Sequence, residues 1–300
     1  MSGTFNIEFA MINFYAGCVS LLRNNFYEAE KYFVKAVDFD SDLNEKIIEF
    51  RTKLGDEYVG HAAFFNGKDD DTVRRMLIKG LKYSGGHQLL ENRLNEMADL
   101  ILKSVNASLE KYESTNRNTS HGSNDFKNSQ AAYKSDLLKS SRIKLGKWIN
   151  DIEKHKFLKN ILAKSKVGEF YRLNGTILIR ENKFVKAIEN FDKAIVFVND
   201  DPGYYLLKAD ACFALNDYDN GIDALNKAVK LDVKYAVYWE NMGDNLAGQG
   251  KFNDAIAAYE QFFTASSENK MVLKKISQCF IELGQLQAAK DTLMQLKSLC

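Results

Sequence analysis

The most constraining feature of this sequence is a repeat of 34 residues that runs from Gly168 to Cys300. Small residues recur at that interval in two columns, Gly175, Ala209, Gly243, Ser277 and Ala187, Gly221, Ala255, Ala289. Large apolar residues form two more, Phe184, Tyr218, Phe252, Leu286 and Phe191, Leu225, Tyr259, Leu293. A fixed period of this length predicts stacked copies of one structural unit.

Each unit is predicted to be a hairpin of two helices. In the third unit, Trp239, Met242 and Leu246 are spaced by three and four residues, which indicates one apolar helical stripe, and Tyr238 and Gly243 are assigned to it as well. A small residue at the helix crossing lets the two backbones approach. The turn between helices is assigned to residues common at helix C-termini, Asn182, Asn216, Gly248, Gly250 and Gly284.

The period and the residue order resemble the tetratricopeptide repeat, with its pattern of Trp, Leu-Gly, Tyr, Ala, Phe and Ala. The resemblance covers four units, 168–201, 202–235, 236–269 and 270–300, and YWENMGDNLAGQGKFNDAIAAYEQ is the stretch most similar to the family's unit. It implies an all-α, tetratricopeptide-type solenoid of helical hairpins, wound as a right-handed α-α superhelix. In that family the first helices of successive units line a concave face, which implies a protein-binding groove.

The same template finds further units near the N-terminus, in a helical region over residues 1–113. A clear unit is predicted at 10–43, where Gly17, Phe33 and Ala36 take the places of Gly175, Phe191 and Ala194. A degenerate unit is predicted at 54–87. From 87 to 112, apolar residues spaced by three or four predict a long capping helix.

Residues 114–130 are almost wholly polar, and we expect them to form a flexible linker. The following segment, 131–167, is predicted to be helical and basic, with ten Lys or Arg residues against three Asp or Glu. Two interpretations remain open. The segment binds an anionic partner, such as RNA or an acidic membrane or protein surface, or it packs on the first clear repeat with its lysines in solvent.

The resemblance also assigns groove positions on the first helices of the four units. These are Glu169, Arg172, Thr176, Leu206, Asp210, Phe213, Glu240, Asn241, Asp244, Met271, Lys274, Lys275 and Gln278. The middle of the groove is expected to be acidic, because Asp210, Glu240 and Asp244 lie on neighbouring units. We therefore expect a partner protein or peptide segment with basic residues, and apolar contacts from Leu206 and Phe213.

No catalytic, cofactor-binding or metal-binding residues are predicted. The four histidines are far apart in sequence, and the four cysteines lack metal-ligand spacing. The formal net charge of +1 gives no global attraction to nucleic acid, which is not expected as a partner. The sequence thus predicts a non-enzymatic interaction scaffold without a small-molecule substrate.

Localisation and oligomeric state are also predicted. The apolar stretch from 5 to 22 is interrupted by Glu8, Asn13 and Gly17, so no membrane span is expected and a cytoplasmic location is predicted. A monomer is favoured because Thr292, Gln295 and Lys297 would make the last helix polar enough to end the stack.

Overall fold

The structure, a computed structural model, describes residues 2–23, 25–64, 70–117, 124–266 and 270–299. Over these ranges the chain forms α-helices joined by short turns, and no strand is found. The all-α solenoid of helical hairpins predicted from the sequence is confirmed. The chain divides into two compact units, Met1–Ser104 and Val105–Cys300.

The helices of the first unit begin with two hairpins. They are α1 (Ser2–Leu22), α2 (Phe26–Phe39), α3 (Leu43–Phe64), α4 (Asp70–Ser84) and the start of α5 (Gln88–Arg117). Helix α1 packs on α2, and α3 packs on α4. Helix α3 begins well before the predicted unit at 54, because Leu43 and Ile47 are buried and belong to the same core.

The second unit contains the end of α5 and ten further α-helices. They are α6 (Asn124–Lys154), α7 (Leu158–Ile161), α8 (Lys164–Arg180), α9 (Phe184–Phe197), α10 (Pro202–Ala214), α11 (Tyr218–Leu231), α12 (Val237–Gly248), α13 (Phe252–Ala265), α14 (Val272–Glu282) and α15 (Leu286–Leu299), with a 3₁₀ turn at Val233–Ala236. Helices α8 to α15 pair into four hairpins in chain order. Helix α9 packs on α10 and α13 on α14, whereas α11 packs on the 3₁₀ turn that precedes α12.

The repeated small residues mark where the two helices of a hairpin touch. Three glycines lie directly under an aromatic ring of the second helix, in the pairs Gly17 with Phe33, Gly175 with Phe191, and Gly243 with Tyr259. A Cβ atom on Gly243 would lie 2.4 Å from Cε1 of Tyr259, closer than carbon atoms approach. Only a glycine therefore permits this helix spacing beneath the ring.

The turns within the four C-terminal hairpins share one backbone conformation. Positive φ angles recur every 34 residues, at Asn182 (58°), Asn216 (60°), Gly250 (77°) and Gly284 (73°). The next residue donates its N–H to a carbonyl five positions back, as Lys251 does to Leu246 at 2.9 Å. This closes each first helix with a Schellman-type cap. Gly248 is not part of the turn; it is the last residue of α12.

Helix occupies most of the segment 114–130, which the sequence predicted to be a flexible linker. Residues 114–117 belong to α5 and residues 124–130 to α6, while 118–123 lie outside the described residues. Low hydrophobicity did not exclude helix here, because adding a residue to an existing helix costs far less than nucleating one. The division into compact units falls between Ser104 and Val105, before the predicted linker.

The basic segment packs on the first C-terminal hairpin. The buried ring of Trp148 on α6 stacks on Phe170 of α8, with centroids 5.2 Å apart and planes 18° apart. Leu145 and Ile152, one turn to either side of Trp148, are also fully buried. Helix α6 therefore covers the open side of α8 and extends the solenoid core.

The contact at Gly243 can be tested by adding a single methyl group. We expect Gly243→Ala to lower the free energy of unfolding by about 1–3 kcal/mol, because Tyr259 must move. Gly248→Ala, in the same helix, places its Cβ in open space among the described residues and should leave stability unchanged or raise it by up to about 1 kcal/mol. Urea unfolding followed by circular dichroism measures both, and equal losses would contradict the assigned packing.

Candidate binding groove

Two adjoining cavities lie between the first helices α8, α10 and α12, and together we call them the central groove. One has a volume of about 430 Å³ and the other about 550 Å³. Both are lined by Asp210 of α10 and Tyr238 of α12. The smaller cavity is also lined by Phe213, Asn241, Asn245 and Gln249, and the larger by Glu169, Arg172, Tyr204, Leu206 and Tyr235.

Asp210 is the central charge of this groove. Its side chain reaches solvent, but desolvation by the groove walls raises the pKa of the carboxyl group, and the positive charge of Arg180 opposes part of that rise. Among the described residues, Asp210 makes no hydrogen bond and no ion pair. Burial raises the pKa of the neighbouring Tyr238, and the Asp210 charge adds to the effect. An incompletely solvated carboxylate without a counterion favours a cationic ligand.

Aromatic side chains form the wall beside Asp210. The rings of Tyr235 and Tyr238 lie 6.4 Å apart at an angle of 58°, and Tyr204 lines the same cavity. The sequence assigned Tyr238 to the packing stripe of its helix, which is wrong, because its side chain is 37% exposed and faces both cavities. Its spacing of three and seven residues from Asn241 and Asn245 is a sequence signal that places all three on one face.

The groove surface of α8 is partly covered by the end of α5. The Nη2 atom of Arg172 lies 3.4 Å from Oδ1 of Asn106, and Arg180 Nη2 lies 2.7 Å from Glu113 Oε1. Arg172 also donates two hydrogen bonds of 2.6 Å to Glu169. Arg172, predicted as a groove residue, lines the larger cavity, and its guanidinium is held there by Asn106 and Glu169.

The acidic residues of the third unit are paired with a lysine of the fourth. Lys275 Nζ lies 2.7 and 2.8 Å from the two carboxylate oxygens of Asp244 and 2.9 Å from Glu240 Oε1. Tyr259 donates a further hydrogen bond to Asp244 at 2.7 Å. Burial alone would raise the pKa of Asp244, but the hydrogen bonds from Lys275 and Tyr259 and the Lys275 charge together lower it. Of the three acidic residues predicted at the middle of the groove, Glu240 and Asp244 are paired with Lys275. Asp210 is the one that is not paired with a lysine.

The remaining predicted groove residues have different roles. Leu206 is buried and forms the floor of the larger cavity. Phe213 lines the smaller cavity, but its ring also lies against Gly221, where an added Cβ would be 2.4 Å from Cε1, so it is mainly a hairpin contact. Thr176 donates to the Arg172 carbonyl within its own helix. Met271, Lys274 and Gln278 are exposed on or beside α14 and do not line either cavity.

A third cavity, of about 350 Å³, lies beside α12, between α11 and α13. Its floor is made by Trp239, Met242 and Leu246, which are core residues of the hairpin stack. Lys251, at its edge, places Nζ 5.7 Å from the centre of the Tyr218 ring. Because this cavity is a gap between packed hairpins, the central groove is the better candidate site.

Several basic side chains of residues 131–167 form ion pairs or aromatic contacts with the protein itself. Arg142 pairs with Glu181 at 2.9 Å, and Lys159 lies 5.8 Å from the centre of the Phe197 ring. Lys134, Lys144, Lys147 and Lys166 also have interaction partners. These contacts favour the packing interpretation of residues 131–167 over anion binding.

The buried cysteines are poorly suited to nucleophilic chemistry. Burial raises the pKa of the Cys18 thiol to about 11, and it also raises the pKa values of Cys212 and Cys279. A thiol with a raised pKa is protonated at neutral pH and is a weak nucleophile. In the described ranges, no cluster of three or more His, Cys, Asp or Glu side chains is placed to hold a metal ion. No described helix combines the length and apolar composition needed to cross a bilayer.

Comparison with known proteins agrees with the repeat geometry. Two models of the tetratricopeptide repeat match residues 202–234 and 241–293. The small glutamine-rich tetratricopeptide repeat-containing protein 2 of Mycosarcoma maydis is 28% identical over 108 residues, which is 36% of this chain and 30% of that relative. The chain thus spans under a third of that relative's length.

Two solved structures that are similar to parts of this chain have lower sequence identity. A crystal structure of MamA covers 55% of this chain and 92% of its own, at 17% identity and a TM-score of 0.37. The crystal structure of YrrB, described as a TPR protein with an unusual peptide-binding site, covers 57% of this chain and 81% of its own, at 13% identity and a TM-score of 0.36.

Fold and groove define an α-helical repeat protein whose hairpins present a shared inner surface. The family matches agree with this description, because residues 202–234 and 241–293 match models of the tetratricopeptide repeat. The repeats support a role as a protein–protein interaction scaffold.

The cluster around Asp244 should give stability a specific pH dependence. Because the native pKa of Asp244 is lowered, the stability contributed by its ionised carboxylate is fully present above the unfolded-state pKa of about 4. That contribution is lost as the pH falls through the native pKa. We expect Asp244→Asn to lower the melting temperature near neutral pH and to converge with the wild type toward about pH 3.

The lysine partner provides the control for this measurement. In a Lys275→Met background, the pH-dependent effect of Asp244→Asn should shrink, because the main group that lowers the Asp244 pKa has been removed. Melting curves that are identical for wild type and Asp244→Asn at every pH would contradict the assigned cluster.

Proposed function

We propose that this protein is a non-enzymatic scaffold that binds a partner segment in the central groove and accepts a Lys or Arg side chain of that segment at Asp210. The observation that carries the proposal is the Asp210 carboxylate, which lines both cavities and has no hydrogen bond or ion pair among the described residues. A partner cation would supply the missing counter-charge in a partly desolvated site.

The contrast with the neighbouring acids supports the choice of Asp210. Glu240 and Asp244 already share Lys275, so a partner cation would have to compete with an existing ion pair. At Asp210 the positive charge that lowers the carboxyl pKa is that of Arg180, which is itself paired with Glu113. The gain in electrostatic energy on binding a cation is therefore larger at Asp210 than elsewhere in the groove.

The groove also offers contacts for the rest of a bound segment. Tyr238 lines both cavities together with Asp210, and an aromatic ring can stabilise a Lys or Arg side chain through cation–π attraction. On the other side of Asp210, the amides of Asn241, Asn245 and Gln249 line the smaller cavity and can bind main-chain groups of an extended peptide. The groove therefore offers an aromatic side chain, a carboxylate and a set of amides to successive parts of a bound segment.

The proposal also includes the absence of enzymatic activity and a cytoplasmic location. A non-enzymatic role is favoured by the repeat family and by the protonated, buried thiols. A cytoplasmic location is also proposed, since Cys18, Cys212 and Cys279 are unpaired thiols in the described part of the chain.

Selection from a random peptide library displayed on phage, with the full chain as bait, tests the proposal. We expect selected peptides to share a Lys or Arg, and Asp210→Asn to weaken the best of them about tenfold by fluorescence anisotropy. Affinity should also fall as the pH is lowered, because protonation of Asp210 removes its charge.

A matched control and a double-mutant cycle make the result specific. Asp223→Asn removes an equal charge from an exposed position on α11, a second helix, and should leave affinity unchanged. Replacing the peptide's lysine by norleucine should weaken binding to the wild type but not further weaken binding to Asp210→Asn. Selected peptides without basic residues, or equal effects of the two aspartate substitutions, would refute the assignment.

A further inference from the structure

Helix α1 is apolar on two sides, and only one of them is covered. Its inner stripe packs on α2 through Ala10, Phe14, Cys18 and Leu21, all of which are buried. The outer stripe consists of Ile12, Tyr15, Val19 and Leu22, with exposed fractions of 64%, 59%, 45% and 62%. A helix that is apolar all round is normally buried on all sides, so the outer stripe requires a partner surface.

The spacing of the outer stripe fits another helix. Its members are separated by three, four and three residues, the a/d pattern that packs against a second helix at a shallow crossing angle. A lipid surface fits less well, because helices that lie on membranes carry Lys and Arg along their polar face. Over residues 2–23 the only basic side chain is Arg23.

The two charges of this segment identify the partner. Glu8 lies one turn before the stripe and Arg23 directly follows it, and both are exposed. They are the only charged residues between 2 and 23. An antiparallel pair of identical helices brings each Glu8 toward an Arg23, whereas a parallel pair brings like charges together. We infer that α1 is a self-association surface that pairs antiparallel with α1 of a second copy of this chain.

The register follows from the stripe itself. A two-fold axis level with Gly17 places Ile12 opposite Leu22 of the second copy and Tyr15 opposite Val19 of the second copy. At a rise of about 1.5 Å per residue, Glu8 then lies about 4.5 Å along the axis from Arg23 of the second copy, within reach of an arginine side chain. Such a contact is isologous and closes as a dimer. It is independent of the groove, and it replaces the monomer expected from the polar last helix.

Charge reversal provides the test. Light scattering with size-exclusion chromatography, on full-length protein up to about 100 µM, should show a concentration-dependent dimer. Glu8→Arg and Arg23→Glu should each weaken the dimer about tenfold or more, and the double variant Glu8→Arg/Arg23→Glu should restore it. Val19→Glu at the stripe centre should abolish the dimer. Val196→Glu is the control, because Val196 on α9 is 79% exposed and lies outside the stripe.

Other outcomes would overturn the inference. A wild-type protein that stays monomeric at the highest concentration would refute it, even if α1 bound an unrelated helix. A dimer that survives Val19→Glu but is lost on Met294→Glu would place the interface on α15, where Met294 is exposed. A double charge-reversed variant no stronger than either single variant would exclude the antiparallel arrangement. Circular dichroism of each variant establishes that helix content is retained.

Discussion

The close contact between the two helices of each hairpin determines the rest of this structure. In four hairpins an aromatic ring lies directly on a glycine, so that a single added carbon would overlap it. This contact fixes how near the helices come, and in the four C-terminal hairpins a left-handed residue after the first helix fixes how the chain reverses. Because the small residues and these turns recur every 34 residues, each C-terminal hairpin repeats the geometry of the one before it.

The repeated geometry brings side chains of different hairpins into one groove, where long-range pairs decide its charge. Lys275 binds Asp244 from 31 positions away, and Asn106 reaches Arg172 from 66 positions away. The Lys275 pair neutralises acidic charge on the third unit, and the Asn106 contact holds the Arg172 guanidinium in place. Asp210 stays beside Tyr238 without such a partner in the described structure, and a partly desolvated anion in an open cavity is the strongest recognition element that the groove offers.

The proposed pairing through α1 would join two grooves in one assembly. A dimer binds a partner with two recognition segments more tightly than a monomer does, provided that both sites can be reached at once. The two proposals use different chemistry: the groove relies on one carboxylate and aromatic faces, whereas the α1 surface relies on an apolar stripe with a charge at each end. Each can fail without affecting the other.

The sequence by itself determined the hairpins, their limits between 168 and 300, and most of the turn residues, because helix packing and turn conformation depend on spacing within one unit. It could not tell which of the adjacent aromatic residues Tyr238 and Trp239 faces the groove and which lies in the core, since their burial depends on neighbouring hairpins. It also could not show that Lys275 binds Asp244, or that side chains of α5 contact Arg172 and Arg180. Only the tertiary structure decided that Lys275 pairs with Glu240 and Asp244, because these residues are distant in the chain and meet only after the hairpins stack.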